Sequence, residues 1–156
     1  MSKLHFFKLN GMFLTYFKPS EFDTPGSPGT GKRMCSAFLY LLDAARELYG
    51  KPMRITSGFR TKKYNQDLQK RGYAAAKNSS HLFGCAADVA CNDTELIEML
   101  NAFWAVGFRR FGIMGGAVHV DSDAQKPRPT MWSYGNEDTA RWKMAKEWFD
   151  AKIKAA

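Results

Sequence analysis

The chain predicts an α+β domain built on an antiparallel sheet flanked by helices. Three observations carry that expectation. Ala117-Val118-His119-Val120-Asp121 alternates apolar and polar side chains, the period of a half-buried strand. Gly115-Gly116 separates that segment from Phe108–Ile113, which also reads as a strand, as in a tight hairpin. Amphipathic helical stretches fall between the strand-like ones without a βαβ rhythm, and there are no internal repeats or low-complexity tracts.

Length and composition fit one globular domain. The chain has 156 residues, 45% hydrophobic and 24% charged, enough to bury a proper core. A net charge of +8 suits either a polyanionic partner or an ordinary basic surface. Cys35, Cys85 and Cys91 are too few and too irregular for a disulfide framework, and no CxxC pair occurs. Synthesis in a reducing compartment fits best, with a Cys85–Cys91 bridge as the one alternative pairing. Residues 1–17 read as an N-terminal extension, 18–135 as the core, and 136–156 as a C-terminal helix packed on it. The extension is apolar but broken by His5, Lys8 and Asn10, so it is neither a good signal peptide nor a membrane span. Met12 is an alternative start, and His5 has no partner in sequence.

The elements follow in order. Phe22–Gly31 is a loop by composition. Its Gly26-x4-Gly31-Lys32 imitates a phosphate-binding loop, but Arg33 replaces the metal-binding hydroxyl and no apolar strand precedes it. A helix is expected over 33–49, burying Met34, Phe38, Leu41, Leu42, Ala45 and Leu48 and ending at Gly50. Met53–Ser57 reads as a strand, Lys62–Lys70 as a short helix, and 73–80 as a loop. Ala86–Ala90 is the next strand. Asn92 and Glu95 have capping-box spacing for a helix closing at Gly107, with Leu96, Ile97, Leu100, Phe103 and Trp104 inward. Asn136 is the expected cap of a last helix through Ile153, burying Trp142, Ala145, Trp148, Phe149 and Ile153.

The chemistry concentrates around Ser79-Ser80-His81-Leu82-Phe83-Gly84-Cys85-Ala86-Ala87-Asp88. His81 and Asp88 are seven residues apart, with small residues leaving room between them. His119 and Asp121 are i and i+2 on a strand and share a face. His81, Asp88 and His119 together make two imidazoles and a carboxylate, the ligand set of a catalytic zinc with an open position. Each residue taken singly has a plainer reading: His81 as a capping residue, Asp88 as a turn cap, His119 as a satisfied core histidine. Phe59, Tyr64, Trp132 and Tyr134 are aromatic residues of either a cleft or the core. Lys62, Lys63, Lys70, Arg71 and Lys77 bracket the loop before His81.

In order along the chain come Tyr16-Phe17-x-x-x-Glu21-Phe22, Ser57-Gly58-Phe59-Arg60, Asn65, Ser79-x-His81-x-x-Gly84-x-Ala86-x-Asp88, His119-x-Asp121 and Trp132. This pattern resembles the M15 zinc peptidases, the D-alanyl-D-alanine carboxypeptidase group, and especially its small phage-type cell-wall-hydrolase branch. The resemblance spans about residues 16–135. It implies a hedgehog-like fold, one zinc per chain on His81, Asp88 and His119, and a peptidoglycan stem peptide as substrate. It also implies that Arg60 holds the substrate and the developing oxyanion, and that Ser79 and Trp132 line the substrate site. Many members carry an acid shortly before the last ligand histidine, where this chain has Met114-Gly115-Gly116-Ala117-Val118. Asp121 is then the nearby carboxylate, either as the base that takes a proton from water or as an acceptor that orients a ligand histidine. An anionic cell-wall polymer is a second expected partner, and no nucleic-acid-reading motif occurs. Action at the bacterial wall, in lysis or on a virion, would need an export route other than a signal peptide. The alternative reading is an inactive zinc-containing module that binds wall peptide or a virion partner.

Overall fold

The computed structural model describes residues 7–9 and 12–156. The readings of residues 1–6, 10 and 11, including that of His5, lie outside the described residues. Strands β1 (Phe7–Leu9) and β2 (Met12–Leu14) pair as an antiparallel hairpin. From the end of the expected extension, Leu14 and Phe17 are fully buried members of the main core.

The main sheet has five strands: β3 (Ile55–Ser57), β4 (Ala86–Ala90), β5 (Arg110–Ile113), β6 (Ala117–Asp121) and β7 (Thr130–Ser133). Their order across the sheet is β3-β4-β6-β5-β7, antiparallel except for the parallel β5–β7 pair. The α+β expectation holds, with β7 as the addition that the alternation of short segments did not signal. The β5–β6 hairpin turns at Gly115-Gly116, where the Met114 amide donates to the Ala117 carbonyl at 3.0 Å.

Strand alternation divides the sheet into two faces. Ala87, Val89, Phe111, Ile113, Val118 and Val120 are buried on the apolar face, in one core with the helices. Helix α1 (Ser36–Tyr49) starts three residues later than expected because Thr30–Arg33 forms a 3-10 turn and Met34 and Cys35 are extended. Its inward face is Phe38, Leu39, Leu42, Ala45 and Tyr49, whereas Leu48 is 61% exposed. Tyr49 lies almost in line with Phe38, Leu42 and Ala45 at 100° per residue, and Leu48 falls on the flank. Helix α2 (Lys62–Lys70) has the expected bounds, capped by the Thr61 hydroxyl.

Helix α3 (Leu96–Ala105) begins one turn after Asn92. The Asn92 side chain accepts from the Glu95 amide, but Glu95 itself is the residue that precedes the helix, so the expected capping box does not form. Helix α4 (Ala140–Ala155) is capped by Thr139, not Asn136, whose side chain holds the turn before it. Trp142, Ala145 and Trp148 enter the core while Ile153 stays 38% exposed. Edge-to-face ring contacts such as Phe103–Phe108 and Phe111–Trp148 lock the helices onto the sheet. No helix among the described residues is long and apolar enough to cross a membrane.

Two minor readings are resolved by geometry. The cysteines are free, and Cys85 and Cys91 flank opposite ends of β4, which puts them roughly 20 Å apart at strand rise. In the loop that imitates a phosphate site, the Asp23 carboxylate already accepts from the Gly29 and Gly31 amides. A phosphate would meet a like charge there.

Candidate metal centre and cleft

The polar face of the sheet carries one row of residues, one from each strand. Ser57, Asp88, His119, Gly112 and Trp132 are successive Cα partners from β3 to β7. A second row lies two residues along: Ala86, Asp121, Arg110 and Thr130. His81 joins the first row from outside the sheet. It sits on a 3-10 turn, Ser80–Phe83, capped by the Ser79 hydroxyl and ended by Gly84 at φ 70°. A Cβ at Gly84 would lie 2.7 Å from the Arg33 carbonyl oxygen, so a larger residue could not make that turn.

The lone pairs at this site outnumber the protons. His81 Nδ1 donates to the Gly58 carbonyl at 2.7 Å, which leaves Nε2 as an acceptor in the neutral ring. That Nε2 faces Asp88 Oδ1 at 3.2 Å, and His119 Nδ1 faces the same oxygen at 2.9 Å. The other nitrogen of His119, Nε2, donates to Asp121 Oδ2 at 2.7 Å. His81 Nε2, Asp88 Oδ1 and His119 Nδ1 therefore converge, all within 4.8 Å of one another and all buried. A cation between them would satisfy all three, and each imidazole has its far nitrogen anchored, as ligand histidines do.

Charge follows the same logic. Burial opposes ionisation of Asp88, yet the two imidazoles hold its carboxyl well below the usual range. Burial outweighs the neighbouring Asp88 carboxylate and lowers the pKa of His81. The Asp121 and Asp88 carboxylates beside His119 outweigh the same burial and raise its pKa, and a cation would stand in place of the Nδ1 proton that they favour. Arg60 completes the edge, with Nη2 3.4 Å from Asp88 Oδ2 and Nε donating to Ser57 Oγ at 3.1 Å.

The group opens into a cleft of about 580 Å³. One wall carries Tyr64, Leu68 and the 73–76 loop, tied back to α2 by the Asn65 and Gln69 amides. The other carries Trp132 and Tyr134, whose rings lie 5.3 and 6.3 Å from that of His119. Gly112 makes this possible: a Cβ there would stand 2.4 Å from Tyr134 Cε2 and 2.9 Å from Trp132 Nε1.

Residues 15–123, well over half the chain, match the Peptidase M15 family. The chain belongs to the M15 peptidases. No curated protein matches it. M15 peptidases are zinc-dependent, and among the described residues His81, Asp88 and His119 are the group that could hold the ion.

This M15 peptidase gathers at one cleft the expected ligands, catalytic groups and substrate contacts: His81, Asp88, His119, Asp121, Arg60, Ser79 and Trp132. Tyr64 and Tyr134 line the cleft too, whereas Phe59 belongs to the core. Sequence reading missed Arg110, Asp123 and Gly112. Asp123 is buried, accepts from Ser80 Oγ at 2.7 Å and donates its amide to Asp121 Oδ1 at 3.1 Å. It thus ties the turn that carries His81 to the end of β6. A signal for Arg110 existed, since a hairpin centred on Gly115-Gly116 sets Arg110 opposite Asp121.

Proposed function

We propose that this chain is a zinc metallopeptidase that hydrolyses an amide bond in peptidoglycan stem peptides. The convergence of three lone pairs at the floor of a peptide-sized cleft, in an M15 chain, carries the reading. His81, Asp88 and His119 would hold one zinc, which supplies a Lewis acid and an activated water. Water adds to the scissile carbonyl, the C–N bond breaks, and the amine leaves with the proton. Arg60 presents a planar fork at the edge of the centre, suited to an oxyanion or a substrate carboxylate. Ser79, Trp132 and Tyr134 border the path of the peptide. Both Asp121 oxygens are engaged, one with His119 and one with Arg110, which supports the orienting role over that of a base.

The proposed place of action is the bacterial cell wall. The exposed Lys62, Lys63, Lys70, Arg71 and Lys77 on and after α2 accord with attraction to an anionic wall polymer.

Replacing Arg60 by lysine keeps the charge but loses the fork. Turnover is expected to fall roughly a hundredfold while zinc stoichiometry stays the same. Steady-state kinetics with metal analysis of the same sample checks this.

The second reading, a zinc-holding module that binds wall peptide without cutting it, has one observation in its favour. Among the described residues lining the cleft the carboxylates are Asp88 and Asp121, and both are committed. Mass spectrometry of muropeptides incubated with zinc-loaded and chelator-treated protein separates the two. Loss of a terminal alanine identifies a D-Ala-D-Ala carboxypeptidase, and an internal cut identifies an L,D- or D,D-endopeptidase. Peptide binding without a zinc-dependent product supports the module.

A further inference from the structure

We infer that Arg110 is the positioning residue of the metal centre, acting through Asp121 on His119. The inference rests on the zinc reading above and adds to it a residue outside the ligand set.

Arg110 is a cation on an inner strand of the sheet, only 7% exposed. Burying a guanidinium there is costly unless its donors are used. Its Nε donates to Asp121 Oδ1 at 2.8 Å, and Nη1 donates to the Pro127 carbonyl. The Asp123 amide adds a second donor to the same Asp121 oxygen. Asp121, 1% exposed, is therefore held from one side by Arg110 and the 123 amide, and offers only Oδ2 to His119 Nε2. That one contact selects the tautomer: with the proton on Nε2, Nδ1 presents its lone pair beside Asp88 and His81. The same guanidinium lies 5.1 Å from the Trp132 ring, so the plane of Asp121 and the aromatic wall share one support. A lysine would supply charge but not the fork that spans Asp121 and the Pro127 carbonyl.

The test is a double-mutant cycle read as zinc affinity, by competition with a chromophoric chelator. The proteins are wild type, Arg110→Met, Asp121→Asn and the double variant, with circular dichroism verifying the fold. Arg110→Met and Asp121→Asn are each expected to weaken zinc about 10- to 100-fold. The double variant should be no more than about twofold worse than the weaker single one, because both act through one contact. Losses that multiply, or an Arg110→Met protein that binds zinc within twofold of wild type, would overturn the inference. If Arg110→Met does not fold, Arg110→Lys decides. It keeps the charge opposite Asp121 and should still lose affinity severalfold, and wild-type affinity there overturns the inference. A wild-type protein that takes up no zinc overturns the zinc reading itself, a result distinct from tight wild-type binding that ignores Arg110.

Discussion

His119→Ala is expected to abolish turnover and to weaken zinc roughly a hundredfold or more. Structural zinc sites bind with about 10–16 kcal/mol over their whole ligand set, so losing one of three protein ligands removes several kcal/mol. The fold should survive, because Val118 and Val120 on the opposite face of β6 remain in the core and Asp121 keeps Arg110. Thermal unfolding separates the two effects. At about a hundred times the dissociation constant, zinc adds ~2.7 kcal/mol to a protein that binds it only when folded. For a chain of this size that is a rise in Tm of about 5–10 °C. Wild type should show the rise, and His119→Ala at the same zinc concentration should not. An equal rise in both would place the zinc elsewhere.

Gly58→Ala should be a damaging small change beside the site. The added Cβ would lie 2.5 Å from Phe22 Cα and 2.8 Å from the Phe22 carbonyl oxygen. These are backbone atoms, and that carbonyl accepts from the Phe59 amide at 2.8 Å, so no rotamer change relieves the clash. Such overpacking costs about 1–3 kcal/mol, and here the strain falls on the peptide whose carbonyl anchors His81. The expected result is a lower midpoint of denaturant unfolding together with zinc affinity reduced about tenfold or more. Gly115→Ala is the control, since nothing stands within 4 Å of its added Cβ. If both variants unfold and bind zinc alike, the close approach of Gly58 to Phe22 has no bearing on the centre.

Much of this site was legible from spacing, and the reason is local. The i, i+2 relation sets His119 and Asp121 on one face whatever the rest of the chain does. Gly72 follows α2 so closely that the end of the helix could be read directly. What was not legible depends on contacts between distant segments. β7 is four residues long and joins β5 in parallel, after a loop from which no periodicity predicts a return. Gly112 therefore gave no sign that it would lie beneath Trp132 and Tyr134. Leu48 is apolar and near the right phase, but the packing of α1 on the core favoured Leu39 and Tyr49. Arg110 looked like any basic residue at a strand start. The hairpin at Gly115-Gly116 sets it opposite Asp121, but that the two form an ion pair depends on burial that the register does not supply. The choice between base and orienting group for Asp121 likewise turned on its second oxygen, whose partner sequence spacing alone does not name.

The most direct test of the central claim is hydrolysis of a purified stem-peptide muropeptide, measured as zinc is titrated into the metal-free protein. The account predicts no turnover at the start, a linear rise, and a plateau at one zinc per chain. Turnover already complete in the metal-free protein, or none at any zinc ratio across several stem-peptide types, would contradict it.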